Sequence, residues 1–324
     1  MKNECVVVVD GVRVAEELAA AGFSVIACAD AAAARAIAAR VPLAVIVTKR
    51  RIAGVETLQL KPSDVAIKLH KSERTSHGKL YRLPSLDAIL GSVSLIPHFQ
   101  PIVNLDHPDA PPYGYESLAR FRAELPFCTS ELLFDYAKQL GRIADLELAC
   151  IRQTLRWGAP LARRAKLFLN LHPHVFNRAA ELCDTILSEC RRNDVPPSSL
   201  VLEITEQDRL LDEQAAVGCA ENLRNAGVQF ALDDVGMSYS HLSIIDGIKP
   251  SYLKVSQHFG THFETDGSKR KIIRNIIALA ADFECDVVLE GIEESSTSAA
   301  AAAIGARFGQ GFLYSRPQDV AAFA

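Results

Sequence analysis

The sequence predicts an α/β protein with two units, a small α/β domain over residues 1–93 and a (β/α)8 barrel over residues 94–324. In the first segment, short apolar runs alternate with alanine-rich stretches, which is typical of parallel strands covered by helices. From about Ser94 a second pattern recurs, in which an apolar run ends in a polar residue and a helical stretch follows. Eight such runs in roughly 230 residues have the size and rhythm of a (β/α)8 barrel.

The N-terminal segment contains three predicted strands, "CVVVVD", "FSVIACA" and "PLAVIVT", with helical stretches between them. A short strand and a final helix that begins near Ser85 complete the predicted domain. The order of these elements resembles a shortened receiver domain of the response regulators. In that family an aspartate that accepts phosphate ends the third strand, but Thr48 and Lys49 stand there in this sequence.

Two further positions depart from the receiver pattern. Leu83 precedes Pro84, where the family has a lysine, and Asp10 is the single acidic residue at the end of the first strand. We therefore expect this domain to act through contacts with a protein partner or a second copy rather than through phosphorylation.

The composition excludes several classes of protein. Hydrophobic residues make up 49% of the chain, and no apolar run approaches the roughly 20 residues that a membrane span needs. A net charge of −4 without a basic stripe argues against DNA or RNA as a partner. The N-terminus lacks a secretory signal, and the eight cysteines form no C-x-x-C pair, so we expect a cytoplasmic protein with reduced thiols.

Polar residues stand at corresponding points of seven predicted barrel strands, which are "PYGYE", "KLFLN", "SLVLE", "QFALDD", "SYLKV", "DVVLE" and "RFGQG". A single polar residue at a strand end is usually a helix cap or a solvated loop residue. Its recurrence in strand after strand indicates that these side chains converge on one mouth of the barrel. They are Glu116, Asn170, Glu203, Asp233, Asp234, Lys254, Glu290 and Gln310.

The chemistry of this group indicates a metal-dependent site. Its acidic and amide members form an all-oxygen ligand set that suits Mg²⁺ or Mn²⁺, and two such ions can promote phosphodiester cleavage. Both Asp233 and Asp234 can reach the mouth if the backbone turns there. Lys254 lies between two apolar residues and needs an anionic partner. Glu290 is a candidate base or ligand, and Arg120 can grip a phosphate.

Ordered motifs over residues 94–317 resemble the EAL domain, the family of cyclic-di-GMP phosphodiesterases. "HFQPIVNL" resembles its opening Q-P-I strand, "YESLARF" its E-A-L-L-R-W signature and "FLNLHP" its N-x-S strand. "LVLEITE" resembles E-x-T-E, and "ALDDVGMSYSHLS" resembles A-L-D-D-F-G-T-G-Y-S-S-L. "YLKVSQHF", "VVLEGIE" and "GQGFLYSRP" resemble the L-K-I-D, V-A-E-G-V-E and Q-G-Y motifs.

The resemblance implies a TIM-like barrel of the EAL type that opens cyclic-di-GMP to linear pGpG with two ions of Mg²⁺ or Mn²⁺, and that forms a homodimer through the barrel. By motif position, Lys254 and Glu290 would be catalytic. The implied metal ligands are Glu116, Asn170, Glu203, Asp233 and Asp234. The implied substrate contacts are Gln100, Arg120 and Gln310, and the supporting carboxylates are Glu206 and Glu293.

Four departures from the family pattern cluster near the site. Ser256 replaces the aspartate of the L-K-I-D motif, and a serine cannot supply the charge that steadies a lysine. Met237 and Ser238 replace a threonine and a glycine in the loop after Asp234. Ser117 replaces the alanine of the signature. The changes at the loop and at Ser256 bear on turnover more than on binding.

Three alternatives to an active phosphodiesterase therefore remain open. The domain could be a catalytically weak or inactive receptor for cyclic-di-GMP, or a protein-interaction module that has abandoned the nucleotide. An unrelated barrel enzyme of the enolase type also uses strand-end carboxylates with a lysine, but it lacks the Q-P-I and Q-G framing seen here.

Overall fold

The structure, a computed structural model, describes residues 5–9, 24–28, 45–47, 57–58, 86–91, 95–121, 133–134, 137–138, 141–205, 213–236 and 247–323. The chain divides into two compact units. One unit contains residues 1–95 and 121–142, and the other contains residues 96–120 and 143–324.

The first unit contains a parallel sheet of four described strands. These are β1 (Cys5–Val9), β2 (Ser24–Cys28), β3 (Val45–Val47) and β4 (Thr57–Leu58), in the order β2-β1-β3-β4. The three predicted strands are thus present, and α1 (Leu86–Gly91) begins where the final helix was predicted. The helices predicted between the strands lie outside the described residues, and so do Asp10, Thr48, Lys49 and Leu83. The receiver-like assignment stays a prediction.

Eight strands of the second pattern close into a barrel, as predicted. They are β5 (Leu95–Asn104), β6 (Gly114–Phe121), β7 (Lys166–Leu171), β8 (Leu200–Thr205), β9 (Gln229–Val235), β10 (Tyr252–Val255), β11 (Asp286–Leu289) and β12 (Phe308–Gln310). Their order around the barrel is β10-β11-β12-β5-β6-β7-β8-β9. Every run that the sequence offered as a barrel strand is a strand.

One strand departs from the all-parallel arrangement of a regular (β/α)8 barrel. β5 is antiparallel to β12, with Phe308 opposite Asn104 and Gln310 opposite Ile102. The connection from β5 to β6 spans only residues 105–113 and contains turns instead of a helix. Parallel neighbours need a crossover of a dozen or more residues, so this short connection requires β5 to run in the opposite direction to β6.

The described helices cover the outside of the barrel. They are α2 (Ile143–Ala162), α3 (Ala179–Asn193), α4 (Glu213–Asn225), α5 (Gln257–Gly260), α6 (Gly267–Asp282) and α7 (Ser295–Ala303). Local chemistry sets several of their ends. Asp266 caps α6 by accepting hydrogen bonds from the backbone N–H groups of Ser268 and Lys269. Asp194 ends α3 in the left-handed conformation, with φ of 55°.

Apolar side chains form two buried layers. The larger layer lies between strands and helices and includes Leu155 of α2, Ile186 of α3 and Leu202 of β8. The smaller one fills the barrel interior and includes Phe168 and Tyr252. Within the described residues, no helix has the length and apolarity that crossing a bilayer requires.

Candidate active site

A cavity of about 180 Å³ lies within the barrel unit and brings together residues from distant parts of the chain. The described residues that line it are Gln100, Glu116, Leu118, Asp233, Gln257, Glu290, Gly291, Glu293, Gln310, Gly311 and Phe312. Five of the predicted site residues are in this lining, together with the predicted supporting residue Glu293.

The central feature of the site is a fully buried lysine among four carboxylates. The ammonium nitrogen (Nζ) of Lys254 lies 2.8 Å from Oε1 of Glu203 and 2.8 Å from Oε1 of Glu290. It also lies 3.5 Å from Oε2 of Glu116 and 3.4 Å from Oδ1 of Asp233. The carboxylates come from β6, β8, β9 and the residue after β11, so closure of the barrel is what assembles the group.

One ammonium group faces four carboxyl groups in this buried cluster. Burial raises the pKa of Glu203 well above its usual value, and it also raises the pKa of Asp233. Burial likewise raises the pKa of Glu290, to about 8, even though Lys254 opposes the rise. Burial alone would lower the pKa of Lys254, but the four carboxylates outweigh it and hold the ammonium charged.

Glu116 behaves differently because it receives more hydrogen bonds. Burial pushes its pKa upward, but the charge of Lys254 and hydrogen bonds from Asn170 and Gln310 bring the pKa below its usual value. Asn170 donates through Nδ2 to Oε1 of Glu116 over 2.8 Å, and Gln310 donates through Nε2 to Oε2 over 2.6 Å. Gln310 also donates to Oε1 of Gln100 over 3.2 Å. Glu116 is therefore held ionised and in a fixed orientation.

The donor set fits a divalent cation. Both carboxylate oxygens of Glu203 are buried; Oε1 lies 2.8 Å from Nζ of Lys254, whereas Oε2 has no hydrogen-bond donor in the described part of the chain. A buried carboxylate oxygen without a donor is costly, and a metal ion would satisfy it. The predicted ligands offer only oxygen atoms, which Mg²⁺ and Mn²⁺ prefer.

A β-bulge places two consecutive aspartates opposite the buried Lys254 in the strand ladder. In the ladder between β9 and β10, Leu232 lies opposite Leu253 and Val235 lies opposite Val255. Asp233 and Asp234 therefore both stand against Lys254 alone, the two-against-one count of a bulge. Asp234 has a φ of 56°, and its backbone N–H donates to Oδ1 of Asp233 over 2.9 Å. The turn of the backbone predicted for this pair is thus a left-handed residue inside the strand.

Close backbone packing fixes Glu290. A Cβ atom added to Gly260, the last residue of α5, would lie 1.8 Å from the carbonyl oxygen of Glu290. The next residue, Gly291, has a φ of 74°, a conformation that favours glycine. The position of Glu290 therefore depends on two glycines that the pattern of polar residues does not mark.

The remaining predicted residues lie as follows. Asn170 is exposed and stands opposite Glu203 in the ladder between β7 and β8. Arg120 is half-buried and donates to the carbonyl of Ala119, and among the described residues it is absent from the cavity lining. Glu293 is exposed at the cavity, and Glu206 lies outside the described residues. Met237 and Ser238 also lie outside them.

The pattern of polar residues missed part of the cavity lining, and it misplaced Glu116 within its strand. Leu118, Gln257 and Phe312 line the cavity, although no charge pattern marks them. Leu118 could have been found from the strand period, because it lies two residues after Glu116 on the same face of β6. Strand β6 continues to Phe121, so Glu116 lies inside the strand and not at its end.

Comparison with known proteins identifies relatives of this chain. The chain is 29% identical over 245 residues to the bifunctional diguanylate cyclase/cyclic di-GMP phosphodiesterase MucR of Pseudomonas aeruginosa, covering 74% of this chain and 35% of that protein. It is 26% identical over 243 residues to the probable cyclic di-GMP phosphodiesterase PdeA of Escherichia coli, covering 74% and 32%. The chain thus spans about a third of the length of these relatives.

A solved structure gives the same result at the level of the fold. The structure described as the PaMucR phosphodiesterase in complex with c-di-GMP matches with a TM-score of 0.63 and 27% identity. The match covers 71% of this chain and all of that one. A model of the EAL domain matches residues 86–317. By this match, the chain belongs to the EAL domain family.

Proposed function

We propose that this chain hydrolyses cyclic-di-GMP to linear pGpG in bacterial second-messenger signalling, and that it does so with two divalent metal ions, Mg²⁺ or Mn²⁺. The observation that carries the proposal is the buried Lys254 with Glu116, Glu203, Asp233 and Glu290 around it. Membership of the EAL family and the named activities of MucR and PdeA support the choice of substrate.

The ligands of the metal would be Glu116, Asn170, Glu203, Asp233 and Asp234. The ions would supply positive charge that activates a water molecule and stabilises negative charge on the phosphate. The excess of carboxylates over Lys254 supports this assignment, because bound cations restore the charge balance and lower the pKa values of Glu203 and Asp233.

Lys254 would stabilise negative charge or orient the attacking water, and Glu290 would accept a proton. Lys254 is fully buried and held charged by the carboxylates around it, so it can orient a water molecule or stabilise the phosphate. Glu290 lines the cavity, and bound cations would lower its pKa from about 8, so that it would be ionised near neutral pH and could accept a proton from the attacking water. Gln310 and Gln100 would hold the substrate or the ligand Glu116, and Arg120 would contact the nucleotide after a change of rotamer.

Product analysis tests the proposal. The full chain is incubated with cyclic-di-GMP and Mn²⁺ or Mg²⁺, and we expect linear pGpG on chromatography, with no product after chelation. Glu203→Gln removes one buried charge at nearly constant shape and should lower turnover by about 100-fold or more. Glu221→Gln is the matched control, because Glu221 is exposed on α4. Equal loss in both variants would contradict the assignment of Glu203.

A receptor role is the second candidate, and Ser256 is the observation that favours it. Ser256 is buried two residues beyond Lys254, where the family motif carries an aspartate, and its side chain caps no helix. Binding without turnover would support this role. Calorimetry with Ca²⁺ measures the binding, and recovery of pGpG formation by Ser256→Asp would attribute the lost turnover to this position.

We also propose the finer organisation that the sequence predicts. The chain would work in the cytoplasm as a homodimer through the barrel domain, residues 94–324, and the receiver-like segment, residues 1–93, would bind a protein partner. Sedimentation of the full chain and of a chain that starts at Ser94 tests this division, because the shorter chain should retain the dimer.

A further inference from the structure

Two cysteine side chains on neighbouring outer helices come unusually close to each other. The sulfur atom (Sγ) of Cys183 on α3 lies 2.7 Å from Sγ of Cys219 on α4. Among the described residues, both are free thiols. This separation is shorter than non-bonded sulfur atoms normally keep, and a disulfide bond is about 2.05 Å long. The two sulfur atoms are therefore about 0.65 Å from bonding distance.

We propose that Cys183 and Cys219 form a redox modification site, at which a small-molecule disulfide such as oxidised glutathione closes a reversible cross-link between α3 and α4. Both cysteines lie in the outer helical layer, so their oxidation is independent of the nucleotide chemistry at the barrel mouth.

The surroundings of the two thiols favour formation of the cross-link. Cys183 donates weakly to the carbonyl oxygen of Cys219 over 3.8 Å, and Cys219 donates to the carbonyl oxygen of Ala179 over 3.6 Å. These are weak hydrogen bonds, so oxidation gives up little. Both residues lie on helices, so the cross-link leaves the strands and their carboxylates in place.

The difference in exposure assigns an order to the two reactions. Cys183 is half-buried, whereas Cys219 is buried at 3% exposure. Burial, together with the nearby Cys183, raises the pKa of Cys219 well above its usual value, so this thiol is a poor nucleophile on its own. Cys183 therefore reacts first with the external disulfide.

Oxidised glutathione closes the cross-link in two thiol–disulfide exchange steps. The thiolate of Cys183 attacks one sulfur of oxidised glutathione, forming a mixed disulfide and releasing one glutathione thiolate, which takes up the proton that Cys183 lost. Cys219 then loses its proton and attacks the Cys183 sulfur, releasing the second glutathione. Two protein thiols are oxidised, and one oxidised glutathione is reduced to two thiols.

Mass spectrometry of the full chain tests the site. Reduced protein is treated with oxidised glutathione, then alkylated and digested without reduction. Cys219 lies in the tryptic segment 210–224, and Cys183 shares segment 179–191 with Cys190. We expect a linked peptide that contains both segments and has lost two hydrogen atoms. We also expect the melting temperature to rise by roughly 5–10 °C and to return after reduction.

Three serine variants make the result specific. Cys190→Ser should keep the cross-link, because Cys190 is a buried thiol on the same helix that serves as the matched control. Cys183→Ser should abolish both the linked peptide and the melting shift. Cys219→Ser should leave a glutathione adduct on Cys183. Absence of the linked peptide from the parent chain, or its persistence in Cys183→Ser, would overturn the proposal.

Discussion

Lys254 and Glu203 form a fully buried ion pair, with Nζ of Lys254 2.8 Å from Oε1 of Glu203 and both side chains at 0% exposure. Such a pair is expensive to desolvate and rarely exists for stability alone. Breaking it by removing one partner typically costs about 3–5 kcal/mol, because a buried charge is then left without compensation. The cost is consistent with a pair retained for chemistry.

Replacing Lys254 with methionine should lower both turnover and stability. We expect turnover of cyclic-di-GMP to fall by about 100-fold or more, because the four carboxylates lose the one cation that contacts them among the described residues. Stability should fall by about 3–5 kcal/mol in a urea titration. Lys271→Met, at an exposed position of α6, should change neither quantity. A Lys254→Met protein with full turnover would exclude Lys254 from the mechanism.

Gln310 should matter through Glu116. Its Nε2 donates to Oε2 of Glu116 over 2.6 Å, so Gln310→Leu removes a donor that lowers the pKa of Glu116. We expect weaker metal binding by about 10- to 100-fold, as for other partners that orient metal ligands. Titration of turnover with Mn²⁺ measures this. Gln318→Leu is a control, because Gln318 is exposed and its side chain donates to Ser315. An unchanged Mn²⁺ requirement in Gln310→Leu would refute the link.

Gly260 should be sensitive to a single methyl group. In Gly260→Ala the Cβ atom would lie 1.8 Å from the carbonyl oxygen of Glu290, so either α5 or Glu290 must move. A shift of about 1 Å in a catalytic group can cost on the order of 100-fold in rate. Gly267→Ala at the start of α6 is the control, because an added Cβ meets nothing within 4 Å there. Turnover assays and melting curves of both variants decide the matter, and equal behaviour would contradict the packing argument.

The barrel could be predicted from the sequence because its signals are local. Each strand is an apolar run with a polar residue at a recurring point, as in "SLVLE" and "DVVLE", and the eight runs became the eight strands of the barrel. The antiparallel β5 was not predicted, although the short connection over residues 105–113 contained the signal.

The assembled site was harder to predict, because it depends on register. The sequence placed Asp233 and Asp234 together but could not show that both oppose Lys254 across a bulge. It marked Lys254 as needing an anion but could not count the carboxylates around it. Gly260 carries no local signal at all, because its role arises from contact with Glu290, thirty residues later in the sequence.

Ser117 illustrates a departure from the family signature that the structure accommodates. Its hydroxyl lies 2.7 Å from the hydroxyl of Thr154 on α2, and both residues are buried. Ser117→Ala leaves the hydroxyl of Thr154 without this partner and should cost about 1–3 kcal/mol. The double variant Ser117→Ala/Thr154→Val removes both groups and should be closer to the parent protein. Urea titrations of the parent protein, the single variants Ser117→Ala and Thr154→Val, and the double variant form a double-mutant cycle. Strictly additive losses would show that the pair does not interact.

Glu147 should make stability fall as the pH rises. This carboxyl lies on α2 at 4% exposure, and burial raises its pKa to about 8, although a hydrogen bond from the backbone N–H of His172 opposes the rise. In the unfolded chain the pKa is near 4.5. Between these two values the folded protein binds the proton and the unfolded chain does not, so stability is full below about pH 4.5 and declines towards about pH 8.

The variant Glu147→Gln tests this, because glutamine is neutral throughout and can still accept the hydrogen bond from His172. Its free energy of unfolding should exceed that of the parent protein by an amount that grows from pH 5 to pH 8, reaching on the order of a few kcal/mol. Glu221→Gln, at an exposed position of α4, should leave the pH dependence unchanged. Parallel pH profiles for the parent protein and Glu147→Gln would show that Glu147 ionises in the folded state without cost, and hence that burial does not govern its protonation.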